Sequence, residues 1–243
     1  MNKLTDGIKH LIIINVILFV APQLLQLDFT NILALHFPKN EYFGIWQYIT
    51  HMFMHGSITH ILFNMYGLWA FGSPLEQMWG RKKFLFFYFS AGLGAGLIYT
   101  LVNYYQFNGI YDIFISAGLN PSEVIAVLEK GTTNDSRVVN AITQMQFNKI
   151  TSLYNTPAVG ASGAVYGVLA AFGLYFKDAK LALIFVPIPI AAKYFIPVMI
   201  LGDLFFGVTK YSVGNIAHFA HIGGALIGFI IAYFWKKNEF KMN

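Results

Sequence analysis

Cysteine is absent from this chain of 243 residues. That excludes disulfides, thiolate nucleophiles and sulfur-ligated metals, and leaves the redox compartment unread. Charge is also scarce, with 11% Asp, Glu, Lys and Arg, where a soluble domain carries about 25%. What fills the chain instead is apolar: 56% of residues are hydrophobic and the mean hydropathy is +0.56. This composition belongs to an integral membrane protein. The net charge of +5 does not point to nucleic acid, because the basic residues gather at the ends of apolar runs.

Six segments are apolar enough to span a bilayer: 10–27, 57–78, 84–102, 158–176, 181–208 and 215–235. Each approaches the roughly 20 residues that cross a hydrocarbon core of about 30 Å. Pro187, Pro189 and Pro197 interrupt the fifth, so its span is expected to begin nearer Lys193. The first run follows Lys3 and Lys9, as in a signal peptide, but Ala21-Pro22-Gln23 offers no small-x-small cleavage site. A retained helix is therefore expected. The fold expected is all-α, one membrane domain over residues 1–243, with a polar insert at 103–157 between the third and fourth helices.

Positive charge sets the orientation. The N-terminus, the turn at 79–83, the connection at 177–193 and the tail hold eleven of the 16 basic residues in short stretches. The longer opposite loops hold Lys39, Lys130, Arg137, Lys149 and Lys210. Both termini are then cytoplasmic, and helices two, four and six all start on the outer side. His60 and Asn64 open the second, Ser162 the fourth and His221 the sixth. At 1.5 Å per residue each lies roughly 5–12 Å below the surface. Ionisable and polar groups at that depth point to function.

Within the insert, Asn120-Pro121 can cap a helix with Val124, Ile125, Val127 and Leu128 on its apolar side. Val138, Val139, Ile142 and Met145 repeat at helical spacing. The insert reads as a small helical hairpin on the outer surface rather than a lid.

Ser162 is flanked by Gly160 and Gly163, which strip bulk from around its hydroxyl. At a helix head, free amides can stabilise an oxyanion; a serine packed between helices is the bland alternative. His221 precedes Gly224 and Gly228, while Gly163 and Gly167 share the small-xxx-small spacing on helix four. Helices four and six can then pack backbone to backbone, bringing an imidazole near a hydroxyl. Tyr166, one turn after Ser162, either stacks on that imidazole or simply packs. His60 and Asn64 share a face and can both donate to an oxyanion, or bind their helix to its neighbours. His218 is the rival base. Glu76, beside Arg81 and Lys82, reads as a structural ion pair. No acidic partner for His221 is evident, so a Ser–His dyad is expected in place of a triad.

Taken together, His55-x4-His60-Ile61-Leu62-Phe63-Asn64, Glu76, Gly160-Ala161-Ser162-Gly163-x2-Tyr166 and Ala220-His221-x2-Gly224-x3-Gly228 resemble the rhomboid family of intramembrane serine proteases. The resemblance covers roughly residues 40–235 and implies a serine endopeptidase that cuts single-pass membrane proteins near the outer face. It implies Ser162 as nucleophile, His221 as base, and His60, Asn64 and the Ser162 amide as the oxyanion site. Tyr166 would support the His221 ring, and the first outer loop would dip into the membrane. Neither cofactor nor metal is implied. The basic bacterial form, in the inner membrane, is the nearest match. One departure is Trp46-Gln47, where the family commonly has Trp-Arg. The rivals are a non-catalytic rhomboid-like binding protein and a membrane metalloenzyme built from His51, His55, His60, His218 and His221.

Overall fold

The computed structural model describes residues 3–183, 186–209 and 217–239. Lys210 and Lys241, counted in the charge argument, and residues 215–216 of the sixth expected span lie outside the described residues.

Helix α1 (Asp6–Leu25) opens the chain. Its apolar residues Ile13, Ile14, Val16, Ile17 and Val20 are exposed on the protein's own surface, as a lipid-facing helix requires. Two single turns follow in the first loop, α2 (Thr30–Leu33) and α3 (Gln47–Thr50), the latter running into a 3₁₀ turn. Ser57 then caps α4 (Ile58–Gly67) by accepting from the His60 amide. A π-turn at Leu68–Gly72 carries this helix on into α5 (Ser73–Trp79).

Glu76 on α5 departs from the expected ion pair. Its carboxylate accepts from Thr5 Oγ1 at 2.5 Å and from the amides of Gly7 and Ile8 at 2.7 and 2.9 Å. The orphan donors at the head of α1 are a better partner for a buried carboxylate than lysines at the polar edge.

Helix α6 (Arg81–Ser116) is 36 residues long. The insert therefore does not begin at 103: helix three continues through Ser116, and the chain leaves it at Gly118, where φ is +92°. No proline interrupts 103–116, and Phe107, Ile110 and Phe114 supply a helical apolar stripe. Onto that stripe pack α7 (Pro121–Lys130), α8 (Ser136–Ala141) and α9 (Gln144–Asn155), with Phe37 of the first loop, forming a second core. Asn120 and Glu123 form a capping box for α7, as the Asn-Pro pair suggested. The second expected helix is split, because Thr143 and Gln146 form a capping box of their own. Val139 and Met145, expected on its apolar face, are exposed.

After the insert come α10 (Ser162–Tyr175), the hairpin β1 (Lys180–Leu183) and β2 (Val186–Ala191), α11 (Ala192–Val208) and α12 (His218–Glu239). Helix α11 begins beside Lys193, with residues 187 and 189 in β2. Helices α10, α12 and α6 pack most closely. A Cβ added at Gly224 would collide with the carbonyl of Gly163, and one at Gly228 would lie 2.7 Å from the Gly167 oxygen. The two small-residue faces thus meet as backbone surfaces. Among the described residues, α1, α6 and α12 are long and apolar enough to cross a membrane; α10 is apolar but shorter.

Candidate active site

The segment before α10 is held extended. Leu35 of the first loop and Ala158 exchange both backbone hydrogen bonds at 2.9 Å, and the Gly160 amide donates to the His51 carbonyl at 2.9 Å. Gly160 has φ +123°, a conformation that L side chains rarely adopt. Its missing side chain also makes room, since a Cβ there would lie 2.7 Å from His60 Cε1 and Nε2 and 3.6 Å from Ser162 Oγ. Ser162 is the first residue of α10 instead of lying a turn inside the helix. The first intrahelical bond there is Val165 N to Ala161 O at 3.0 Å. The Ser162 and Gly163 amides precede it, with no carbonyl of their own helix to reach.

Against this helix head stands His221, in the first turn of α12. Its Nε2 lies 2.9 Å from Ser162 Oγ. Tyr166 stacks on the imidazole, with ring centroids 4.2 Å apart and planes 10° from parallel. Stacking, of the two readings the sequence allowed for Tyr166, is the one found.

The expectation that His221 lacks an acidic neighbour is overturned. Asp203 Oδ1 lies 3.2 Å from His221 Nδ1 and 2.6 Å from His218 Nδ1, and the Tyr166 hydroxyl donates to Asp203 Oδ2. All three acidic-partner contacts are shielded, with the Asp203 side chain 10% exposed. His218, the rival base, is buried too. Sequence reasoning missed Asp203 because eighteen residues and a loop separate it from His221. An acidic residue within an apolar run was the available signal.

His60 and Asn64 are one turn apart on α4, and the His60 ring lies against Gly160. Asn64 is buried, and its Nδ2 has no hydrogen-bond partner among the described residues. A buried amide donor left open is unusual and fits a group awaiting an acceptor. His55 stands edge-on to His60 at 5.0 Å between centroids. Gln47, where the family commonly has arginine, is fully buried. Its Nε2 donates to the Tyr42 carbonyl at 2.7 Å and its Oε1 accepts from the His36 amide at 3.1 Å, so it fastens the first loop to itself.

A small cavity flanks Ser162 on the side of α6, lined by Gly92, Ala95, Gly96, Gly160, Gly163 and Ala220. Among the described residues one group has metal-ligand spacing: Asp203, His218 and His221, with ligand atoms within 4.8 Å of one another. Those atoms already satisfy one another by hydrogen bonds. His51, counted in the metalloenzyme reading, instead turns its Nδ1 to the Gln47 carbonyl at 2.7 Å.

A serine hydroxyl in reach of an imidazole, beside open amides, can form and stabilise a tetrahedral adduct. The sequence profile of the Rhomboid domain matches residues 42–122 and 133–238. The chain belongs to the rhomboid family. This rhomboid is an integral membrane protein, mostly helical. It is 27% identical over 257 residues to the human presenilin-associated rhomboid-like protein, mitochondrial, a match covering 98% of this chain and 52% of the relative. It is also 27% identical over 193 residues to the rhomboid protease AarA of Providencia stuartii, covering 77% of this chain and 54% of that protein. A third match, to the rhomboid protease GlpG of Yersinia pestis, is 31% identical over 78 residues, or 32% of this chain and 28% of that one. The chain spans about half the length, or less, of the curated relatives it matches.

Proposed function

We propose that this rhomboid is an intramembrane serine endopeptidase acting on single-pass transmembrane proteins. The observation that carries the reading is the 2.9 Å approach of Ser162 Oγ to His221 Nε2 at the head of α10. As Ser162 Oγ bonds to the scissile carbonyl carbon, its proton passes to His221 Nε2 and the carbonyl π pair moves to oxygen. That oxyanion accepts from the Ser162 amide, Asn64 Nδ2 and His60. Collapse breaks the C–N bond, and His221 returns the proton to the leaving amine. Water then repeats the sequence on the acyl-enzyme and frees Ser162. Each oxyanion donor is worth roughly 10²–10³ in rate. Gly160 and Gly163 are the residues that let His60 and α12 approach this closely.

The architecture proposed with it is one membrane domain over residues 1–243. Six spans are formed by α1, α4 with α5, α6, α10, α11 and α12, and the helical insert after Ser116 stands on the outer side. The orientation proposed, with both termini cytoplasmic, rests on charge asymmetry, and the bacterial inner membrane rests on the resemblance to the basic bacterial form. Relatives named as mitochondrial share the family, so membership alone does not choose the membrane.

The test is cleavage in proteoliposomes of a transmembrane substrate carrying a helix-destabilised segment. Wild-type protein should cut it within the lipid-embedded segment, and Ser162→Ala and His221→Ala should not. Equal cleavage by wild type and both variants would overturn the reading.

A further inference from the structure

Asp203, whose side chain is 10% exposed, is an ionisable group in contact with His221 that this reaction leaves unassigned. It resides on α11, a helix that otherwise turns Tyr194, Val198, Leu201, Phe205 and Val208 outward and buries only Ala192 and Ile196. An ionised carboxylate accepts hydrogen bonds and donates none. The ring nitrogens at 2.6 and 3.2 Å from its Oδ1, Nδ1 of His218 and of His221, must therefore both carry hydrogen. A neutral His221 protonated at Nδ1 has its lone pair at Nε2, the atom facing Ser162 Oγ. The serine hydroxyl is then the donor, which is the arrangement a general base needs.

We infer that Asp203 is a positioning residue that fixes the tautomer of His221 and supports the imidazolium formed when Ser162 is deprotonated, so that the site works as a triad assembled from three helices. The inference rests on the Ser162–His221 reading of the same site and deepens it. Tyr166 ties the arrangement together, since its ring lies on His221 and its hydroxyl donates to Asp203 Oδ2. One carboxylate oxygen serves two imidazoles, and His218 holds the shorter bond. Asp203 also joins α11 to α10 and α12 through polar contacts, so displacing α11 withdraws the carboxylate from the base.

Among the described residues, the titratable groups facing His221 are Ser162 and Tyr166 from α10, Asp203 from α11, His218 from its own helix, and His60 from α4. With Asp203→Asn the size is kept and the charge lost. Fluorophosphonate labelling and kcat should fall by roughly 10²–10⁴-fold, as for the equivalent change in a serine-protease triad. KM should change little, and the acid limb of the kcat/KM–pH profile should move to lower pH, because the imidazolium has lost its counter-charge. Asp203→Glu should recover part of the rate. A residue that merely fastens α11 would lower thermal stability without moving the pH limb. Nitrogen NMR of histidine-labelled wild-type protein, with His221 assigned by its loss in His221→Ala, needs no Asp203 variant. It should show Nδ1 protonated and Nε2 bare. A resting Nε2–H tautomer, or an Asp203→Asn protein with the wild-type rate and pH limb, overturns the inference. If Ser162→Ala and His221→Ala themselves retained cleavage, the underlying reading would be at fault; if they are dead and Asp203→Asn is unaffected, only the triad falls.

Discussion

The backbone-to-backbone contact between α10 and α12 sets where the imidazole stands, and Gly224→Ala perturbs it with a single methyl group. That methyl would overlap the Gly163 carbonyl oxygen and lie 3.1 Å from Gly163 Cα. Every near neighbour is backbone, so no side-chain rotation relieves the overlap, and the helices must part by on the order of 1–2 Å at that level. Overpacking of this kind costs about 1–3 kcal/mol. The gain of alanine over glycine in a helix offsets about 0.5–1 kcal/mol of it. At roughly 2–4 °C per kcal/mol for a chain of this size, the melting temperature should fall by a few degrees. Activity should suffer more. Gly163 adjoins Ser162, and Gly224 is one turn beyond His221, so the shift is delivered to the reacting pair. A displacement of about 1 Å can lower a rate by about 10²-fold. Gly109→Ala is the control, a helix-interior position where an added Cβ meets nothing within 4 Å; it should hold or raise stability and leave activity unchanged. The assays are the rate of fluorophosphonate labelling and a thermal melt in the same detergent. Wild-type labelling and melting by Gly224→Ala would refute the claim that this contact positions the base.

Other consequences are open to direct measurement. Asn64→Ala should lower turnover by roughly 10²-fold through loss of one oxyanion donor, with little change in KM; a KM-only effect would assign Asn64 to substrate binding. His218→Ala should retain measurable cleavage where His221→Ala retains none, and the reverse pattern would exchange the two bases. In this cysteine-free chain, a cysteine placed at Thr132 should react with a membrane-impermeant thiol reagent in intact cells and one at Lys82 should not; the opposite labelling would invert the topology. In the insert, the amide of Asn120 and then Arg137 hold the Glu123 carboxyl below its usual value, and Arg137 does the same for Asp135. Carboxylates with depressed folded-state values stabilise above their ordinary titration near about 4 and lose that contribution as pH falls through the lower folded value. Hydrogen-exchange protection factors in the insert, taken against the intrinsic rate at each pH, should therefore fall as pH drops through that window, and an insert equally protected throughout would contradict this.

Much of the site was legible in the residues. The glycine spacing around Ser162 and His221 encodes helix approach directly, because a missing side chain on each of two facing helices leaves backbone contact as the closest packing. Polar groups at apolar helix heads were conspicuous for the reason that lipid makes them costly. Asp203 was not legible: its partners lie on other helices, and nothing in local spacing says which face of α11 meets α12. Glu76 misled in a similar way, since Arg81 and Lys82 are its neighbours in sequence while the open amides of α1 are its neighbours in space. The extension of α6 through Ser116 was hidden by polar residues that read as loop, although its stripe of Phe107, Ile110 and Phe114 was there to be counted. Gln47 shows a further limit. A departure from a family pattern says that a role has changed, but only the packed loop says that a carboxamide now bonds to Tyr42 and His36.

The central claim is that Ser162 is a nucleophile made reactive by His221. Its most direct test is mass-spectrometric mapping of the adduct formed when purified protein in lipid is exposed to a fluorophosphonate. One covalent modification is expected, on the peptide that contains Ser162, absent from Ser162→Ala and strongly suppressed in His221→Ala while both variants remain folded. Modification at another residue, or equal labelling of all three proteins, would contradict it.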